Sequence, residues 1–343
     1  MKTTILLLTL SCAFSATAQE RASEFNRVYP ADRFQELILL NRLGNVDVRQ
    51  GGDQFEIKAE IMVKAKTLEK ADEVMEYLKI DVTERPGILH VNTLLEKDLT
   101  FKKLFHGVSV YVDYHVKVPK GKKLGIANKN GNVFLEDFTG DLNVEVISGD
   151  FKARHVEGDF TAKLTGGNFE VQDVNRFTGD FSSANVNIRS GERLKLTGDG
   201  SHVDIIEAGE VIAKCSGGSL YLGRVDEVNL HAAGAKSEIQ HLRGALRADT
   251  RSGQLAVHSV DRLFSAVDIT ASGTRIALSI QPGGGFNVNF RHDNIKIKLP
   301  RDFVLETKPT MKKKVSVESG FVGDKQYNSR LSLDVTGGSV TIE

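Results

Sequence analysis

The chain has no tryptophan, and aromatic residues make up only 7% of it, so an extended aromatic platform for stacking sugars is not evident, although six tyrosines remain. It has two cysteines, Cys12 and Cys215. If Cys12 leaves with a leader peptide, no internal disulfide is possible and stability must come from packing. Cys215 shares strand parity with Val211 and Ala213, which marks a small buried residue rather than a reactive thiol. Excess charge is also missing. With 45 basic and 45 acidic residues there is no global field to attract nucleic acid. The short basic runs at 120–123 and 312–314 sit beside Pro119 and Pro309 and read as solvated loops. Long apolar runs are lacking as well, so no transmembrane segment is expected in the mature chain.

The first 18 residues read as a secretory signal, residues 1–18. Lys2 supplies the positive start, Ile5 to Leu10 the apolar centre, and Ala16-Thr17-Ala18 the small-residue cleavage site before Gln19. Lipidation at Cys12 is the alternative, but Thr9-Leu10-Ser11 matches the residues preceding a lipidated cysteine only weakly. The expected location is therefore outside the cytoplasm, in the periplasm or at the cell surface.

What the sequence does have is a repeat. Glycine falls every nine residues at Gly131, Gly140, Gly149, Gly158 and Gly167. Two and four places after each come Val133 and Leu135, Leu142 and Val144, Phe151 and Ala153, Phe160 and Ala162, Phe169 and Val171. Seven places on lie Phe138, Ile147, Val156, Thr165 and Val174. A fixed period points to a stacked architecture. Each unit reads as turn, short strand, turn, with Gly-Asp or Gly-Asn at the turns and one wet face, as in Phe151-Lys152-Ala153-Arg154. Two units make one coil of about 18 residues with a strand on each of two flattened faces, and no coil buries enough to stand alone. The expected fold is all-β: a single-chain β-solenoid resembling a parallel β-helix, with roughly eight coils between 131 and 280. The register weakens after Gly179 and recovers at Gly209, Gly218, Gly244 and Gly253. Gly44-Asn-Val-Asp-Val48 and Gly338 with Val340 and Ile342 look like further rungs.

Residues 19–120 have a different texture and read as a β-rich capping segment. Leu68, Ala71, Val74, Met75 and Leu78 mark one face of a helix over 67–80, with Thr67 as its N-cap. Alternation from Val108 to Val118 marks a strand ending at Pro119. Residues 121–343 carry the solenoid and its closing rungs, interrupted by a polar loop around 308–329.

No catalytic, cofactor-binding or metal-binding residue is nominated, and no cofactor is expected. Calcium-binding β-rolls need Gly-Gly-x-Gly-x-Asp repeats, and the Gly-Gly pairs here do not continue that way, so the Gly-Asp turns read as backbone devices. Carboxylates on adjacent rungs, for example Glu145 with Glu157 or Asp159, would suit glycan cleavage if they converged; charged residues at outward strand positions are routine, and a solvated face is the favoured reading. Nine histidines lack metal spacing, although His241 and His258 could stack on consecutive coils. Gly283-Gly-Gly285 lacks the lysine and helix of a phosphate loop.

The leader, the Gly44-Asn-Val-Asp-Val rung, the helix, the alternating strand into Val118-Pro119, and the Asn130-Gly131-Asn-Val and Gly-Asp repeats together resemble the bacterial putative-adhesin domain. This is a domain of unknown function related to the head domain of putative autotransporter adhesins, and the resemblance covers most of residues 30–343. It implies an exported β-solenoid with an adhesive or envelope role and carries over no catalytic residue. The expected activity is thus non-enzymatic: an adhesin-like surface built from residues such as Lys152, Arg154, Lys163 and Glu170, meeting an unidentified protein or glycan of the envelope or of another surface. A periplasmic structural protein without adhesive role, and a glycan-cleaving β-helix enzyme, are the alternatives.

Overall fold

The computed structural model describes residues 19–95, 106–293, 295–301, 303–308 and 315–343. The leader, Cys12 and the basic run at 312–314 lie outside the described residues. The described residues form an all-β solenoid with one helix and two flattened faces of mostly parallel strands.

The N-terminal segment contributes β1 (Gln19–Pro30), β2 (Phe34–Asn41), β3 (Val46–Gln50), β4 (Gln54–Ala65), helix α1 (Leu68–Glu76), β5 (Leu78–Arg85), β6 (Gly87–Leu95) and β7 (Ser109–Val118). Then come β8 (Lys123–Lys129), β9 (Val133–Thr139) and β10 (Leu142–Ile147). The early glycine motif does form a rung: β2 and β3 stack in parallel on β8 and β9. The rung is not the outermost one. On its other side β6 and β7 pair in parallel with β2 and β3, and antiparallel β5, β4 and β1 cover them. The outer edge of β1 is exposed along most of its length and carries Glu20, Arg21, Glu24 and Arg27, charges that discourage strand addition.

The helix is shorter than its periodicity suggests. Thr67 caps it, its hydroxyl accepting from the Lys70 amide, but it stops at Glu76 with Tyr77 as C-cap. Leu78 and Ile80 belong to β5, where pairing with β6 outweighs helical spacing. Ala71 and Val74 are its buried residues.

The regular stack runs through β11 (Phe151–Thr165), β12 (Asn168–Ser182), β13 (Asn185–Asp199), β14 (His202–Ser216), β15 (Ser219–Ala233), β16 (Lys236–Arg251), β17 (Gln254–Val260) and β18 (Ala266–Ile280). Turn residues with positive φ recur at Asn130, Ser148, Gly166, Ser183, Gly200, Gly217, Gly234, Ser252 and Gly273, which bound eight coils. The nine-residue units are of two kinds. In one the third buried residue is seven places after the glycine, as Phe138 and Val156; in the other it is six places on, as Val146 and Leu164, which leaves Thr165 exposed. From Phe151 to Arg251 only one junction per coil breaks the strand, because β11 to β16 run straight through the second corner; the next coil is broken at both, between β16 and β17 and between β17 and β18.

The weakened register has a simple cause. Phe151 pairs with Phe169, 18 residues on, but Asp159 pairs with Arg176, 17 residues on, so the coil loses one residue at the corner. The close-approach position of the turn then passes from Gly167 to Ala184 and Ser201 before returning to Gly218. Gly179 is not a turn residue. It lies in β12 opposite Ala162 and Leu196, and a Cβ there would come within 2.3 Å of the Phe181 ring and 2.8 Å of the Phe177 ring. Those rings belong to a buried phenylalanine column. Phe151 and Phe169 stack at 5.0 Å, Phe160 and Phe177 meet at 4.9 Å, and Phe169 and Phe181 at 5.1 Å. Each such ring stabilises the stack by roughly 1.5–3 kcal/mol on burial. Cys215 is a free thiol inside the core, where burial pushes its pKa up to about 11.

The last strands are β19 (Gly285–Asp293), β20 (Lys296–Lys298), β21 (Glu306–Lys308), β22 (Val315–Gly323) and β23 (Ser329–Ile342). The stretch expected as a polar loop over 308–329 therefore contains β22, held by antiparallel pairing with β19. The rung at Gly338 exists but is not terminal. β23 inserts between β18 on one side and β19 with β20 on the other, all in parallel.

At some turns only glycine fits against the preceding coil, while Ala184 and Ser201 take the same position at others. At Gly167, with φ at +91°, a Cβ would lie 2.1 Å from the carbonyl oxygen of Gly149. Gly198 sits in an extended strand with its nearest neighbours at 3.8 Å. Replacing Gly167→Ala should therefore lower the melting temperature, by strain of about 1–3 kcal/mol. Gly198→Ala should leave it unchanged or raise it by the equivalent of about 0.4–1 kcal/mol. Thermal melts of the two variants followed by circular dichroism check this.

Candidate interaction surface

Strand pairing sets the outer faces. Parallel rungs are about 4.8 Å apart and alternate residues point outward, so outward side chains line up in rows across the coils. One row reads Phe134, Lys152, Glu170, Asn187, Asp204, Tyr221, Glu238 on successive rungs, with Asp47 before it.

The residues expected to form an interaction surface are all outward but do not share one face: Lys152, Arg154 and Glu170 lie on the stack that continues β9, and Lys163 on the stack that continues β10. Lys152 bonds Glu170 at 3.0 Å, Arg154 bonds Asp137 at 3.0 Å, and Lys163 lies 3.9 Å from Glu145. The same one-coil step joins Lys123 to Asp141, Arg176 to Asp159, Arg193 to Glu210, Arg224 to Glu207 and Arg243 to Asp226. Exposed pairs of this kind contribute about 0–1 kcal/mol each. They also mark the register, because a slip of one residue would set Lys152 opposite Phe169 or Val171 and turn the core residues outward.

A second ladder explains the Gly-Asn and Gly-Asp dipeptides at the turns. The Asn132 amide donates to Asn45 Oδ1 at 3.0 Å, the Asp150 amide to Asn132 Oδ1 at 2.9 Å, and the Asn168 amide to Asp150 Oδ1 at 2.8 Å. Asn185 Nδ2 continues it to Asn168 Oδ1 at 3.1 Å. These side chains satisfy the backbone of the next coil. The Gly-Asp pairs at 179–180 and 198–199 lie at or within strand ends instead.

The carboxylates considered for glycan cleavage are not brought together. Glu145 faces Lys163, Glu157 accepts from the Thr139 hydroxyl at 3.4 Å, and Asp159 bonds Arg176 at 2.6 Å. His241 lies 3.2 Å from Ser259 Oγ, so the coil sets a serine beside it rather than His258. Gly284 and Gly285 lie against the carbonyls of Arg262 and Asp324, which accounts for the triple glycine as close backbone packing. Among the described residues no group of three or more His, Cys, Asp or Glu is placed to hold a metal ion, and no helix is long and apolar enough to cross a membrane.

One place on the face departs from pairing, and sequence reading missed it. A depression of about 250 Å³ is lined by His202, Asp204, Ser219, Tyr221, Lys236 and Glu238. Lys236 pairs with Glu238 at 2.8 Å and lowers the pKa of its carboxyl group, and His202 bonds Ser219 Oγ. Asp204 Oδ1 is buried and has no hydrogen-bond partner. The available signal was Tyr221 itself, an aromatic residue at the outward position between buried Leu220 and Leu222.

No protein-family model matches the chain, and no curated protein is significantly similar to it. Solved structures to which it is similar include a putative adhesin from Parabacteroides merdae, 14% identical with a TM-score of 0.37, over 74% of this chain and 92% of that one. A putative lipid binding protein from Parabacteroides distasonis is 11% identical with a TM-score of 0.36, over 75% and 93% of the two chains. A putative adhesin from Bacteroides fragilis is 11% identical with a TM-score of 0.29, over 94% and 97%. Putative adhesins are thus among the solved structures that this chain is similar to.

The ladder at Asp137 is testable by titration. Arg154 first, then His155, hold its carboxyl pKa down to about 2. A depressed carboxyl pKa favours the folded state above the unfolded value of about 3.9, and that contribution is lost as the pH falls towards the folded value. Carbon-detected NMR should find the Asp137 midpoint near 2 in the native chain and closer to the ordinary aspartate range in Arg154→Ala.

Proposed function

We propose that this chain is an exported, non-enzymatic β-solenoid that acts as an adhesin-like or envelope interaction surface. In this reading residues 19–120 close one end and residues 121–343 carry the face that meets a protein or glycan of the envelope or of another surface. The observation that carries it is the register of the outward side chains. Ion pairs one coil apart and amide ladders at the turns hold them in rows at the strand spacing, so the recognition groups are ordered before any partner arrives. Such pre-organisation reduces the entropy lost on binding. A leader over residues 1–18 is the expected route of export.

Protease shaving of intact cells, followed by fractionation and immunoblotting, tests the reading. Loss of the band from intact cells is the expected result. Protection until the outer envelope is opened would overturn surface display and make the chain an internal envelope component.

A further inference from the structure

We propose that the depression across β14, β15 and β16 is a saccharide-binding subsite, with Tyr221 as the stacking platform and Asp204 and Glu238 as acceptors for sugar hydroxyls. The proposal rests on the interaction-surface reading above and gives that surface a place and a ligand class.

Asp204, Tyr221 and Glu238 occupy the same position on three consecutive rungs. At the strand spacing the two carboxylates stand roughly 9.5 Å apart with the phenol ring between them. Elsewhere in this row the acids have partners: Glu170 has Lys152, and Glu238 has Lys236. Asp204 has none, and its Oδ1 is shielded from water. A buried carboxylate oxygen without a donor is costly. Oδ1 is closed to a ligand as it is to water, so the acceptor that Asp204 offers where it lines the depression is its other carboxylate oxygen.

The other groups narrow the class. Lys236 gives one proton to Glu238 and, as an ammonium, has two more to donate. The site therefore offers acceptors, a donor and an aromatic face within 250 Å³. A pyranose ring matches this set, with hydroxyls that both donate and accept around an apolar C–H face. An acidic sugar meets two carboxylates against one ammonium and is disfavoured. A simple cation meets Lys236, and the charge of Glu238 is already engaged. Neutral hexoses and N-acetylhexosamines are the fitting residues.

The test uses the full exported chain and oligosaccharides of two to four residues, built from neutral hexoses, N-acetylhexosamines or uronic acids. Saturation-transfer NMR reads the ligand. Tyrosine fluorescence reads the protein, unmasked because the chain has no tryptophan. The expected result is binding of a hexose or N-acetylhexosamine member that weakens about tenfold or more in Tyr221→Ala. Binding should weaken in Asp204→Asn and persist in Tyr221→Phe and in Phe134→Ala, the exposed aromatic five rungs away in the same row. Melting curves confirm that the variants fold. Absence of saccharide binding, binding unchanged in Tyr221→Ala, preference for uronic acids, or displacement by tetramethylammonium would each overturn the subsite. The two readings separate cleanly. A chain lost on cell shaving that binds no saccharide keeps the surface and removes the subsite. A chain protected in intact cells that binds saccharide through Tyr221 keeps the subsite and removes surface display.

Discussion

At the glycine turns between coils, one residue lies so close to the carbonyl of the residue one coil earlier that a Cβ would not fit. Gly131 lies against Gly44 in this way, Gly149 against Gly131, Gly167 against Gly149 and Gly218 against Ser201. The rest of the structure follows from this approach. It brings successive strands to hydrogen-bonding distance, accompanies a step of 17 or 18 residues that lengthens to 21 along most of the pairing of β16 and β17 with β18, and aligns the phenylalanines of one coil on those of the next. It also puts the residue after the glycine within reach of the next coil's amide, where asparagine or aspartate can accept. Turn chemistry and core packing are therefore two consequences of a single spacing.

This is why so much of the solenoid was legible in the sequence. Glycine, the apolar pair and the Asx residue keep fixed offsets from one another, so the first coils can be read almost residue by residue. Legibility fails where one of those offsets changes. Between Gly179 and Gly209 the corner loses a residue, and Ala184 and Ser201 replace the turn glycine, so the pattern fades although the stack does not. The helix was overextended because Leu78 fits its spacing, and nothing local reveals that β6 waits to pair with that residue. The subsite at Tyr221 was hidden for a different reason. Its three main residues are 17 apart in sequence, and no local motif joins them.

The ends of the stack obey a rule that the repeat cannot express. At each end the outermost parallel rung comes from a segment out of chain order. The β2–β3 rung lies between β6–β7 and β8–β9, and β23 lies between β18 and β19–β20. A solenoid built strictly in order could lose its last coil without disturbing the one before. Here the N-terminal rung is clasped on both sides, and removing β23 would break pairing with β18 and with β19 at once. Antiparallel strands then cover the outer rungs, so the exposed edges are charged or short.

The outer faces follow from the same geometry. Parallel stacking repeats each outward position on every rung, and identical charges in a row would repel at about 4.8 Å. Opposite signs on neighbouring rungs relieve this at Lys152 with Glu170 and at Asp159 with Arg176, although the second row also sets Arg176 beside Arg193 and Glu210 beside Glu227, so its charges pair without alternating strictly. Pairing of this kind consumes the charges it fixes and leaves the face nearly neutral, in keeping with 45 basic and 45 acidic residues. In the proposed reading, recognition falls to positions whose charges are not engaged in such pairs. Tyr221 separates Asp204 from Glu238, and Asp204 is left without a cation on either neighbouring rung. Asp47, Glu170 and Glu238 in the same row each have a cation, which sets Asp204 apart as the acid whose Oδ1 has no partner.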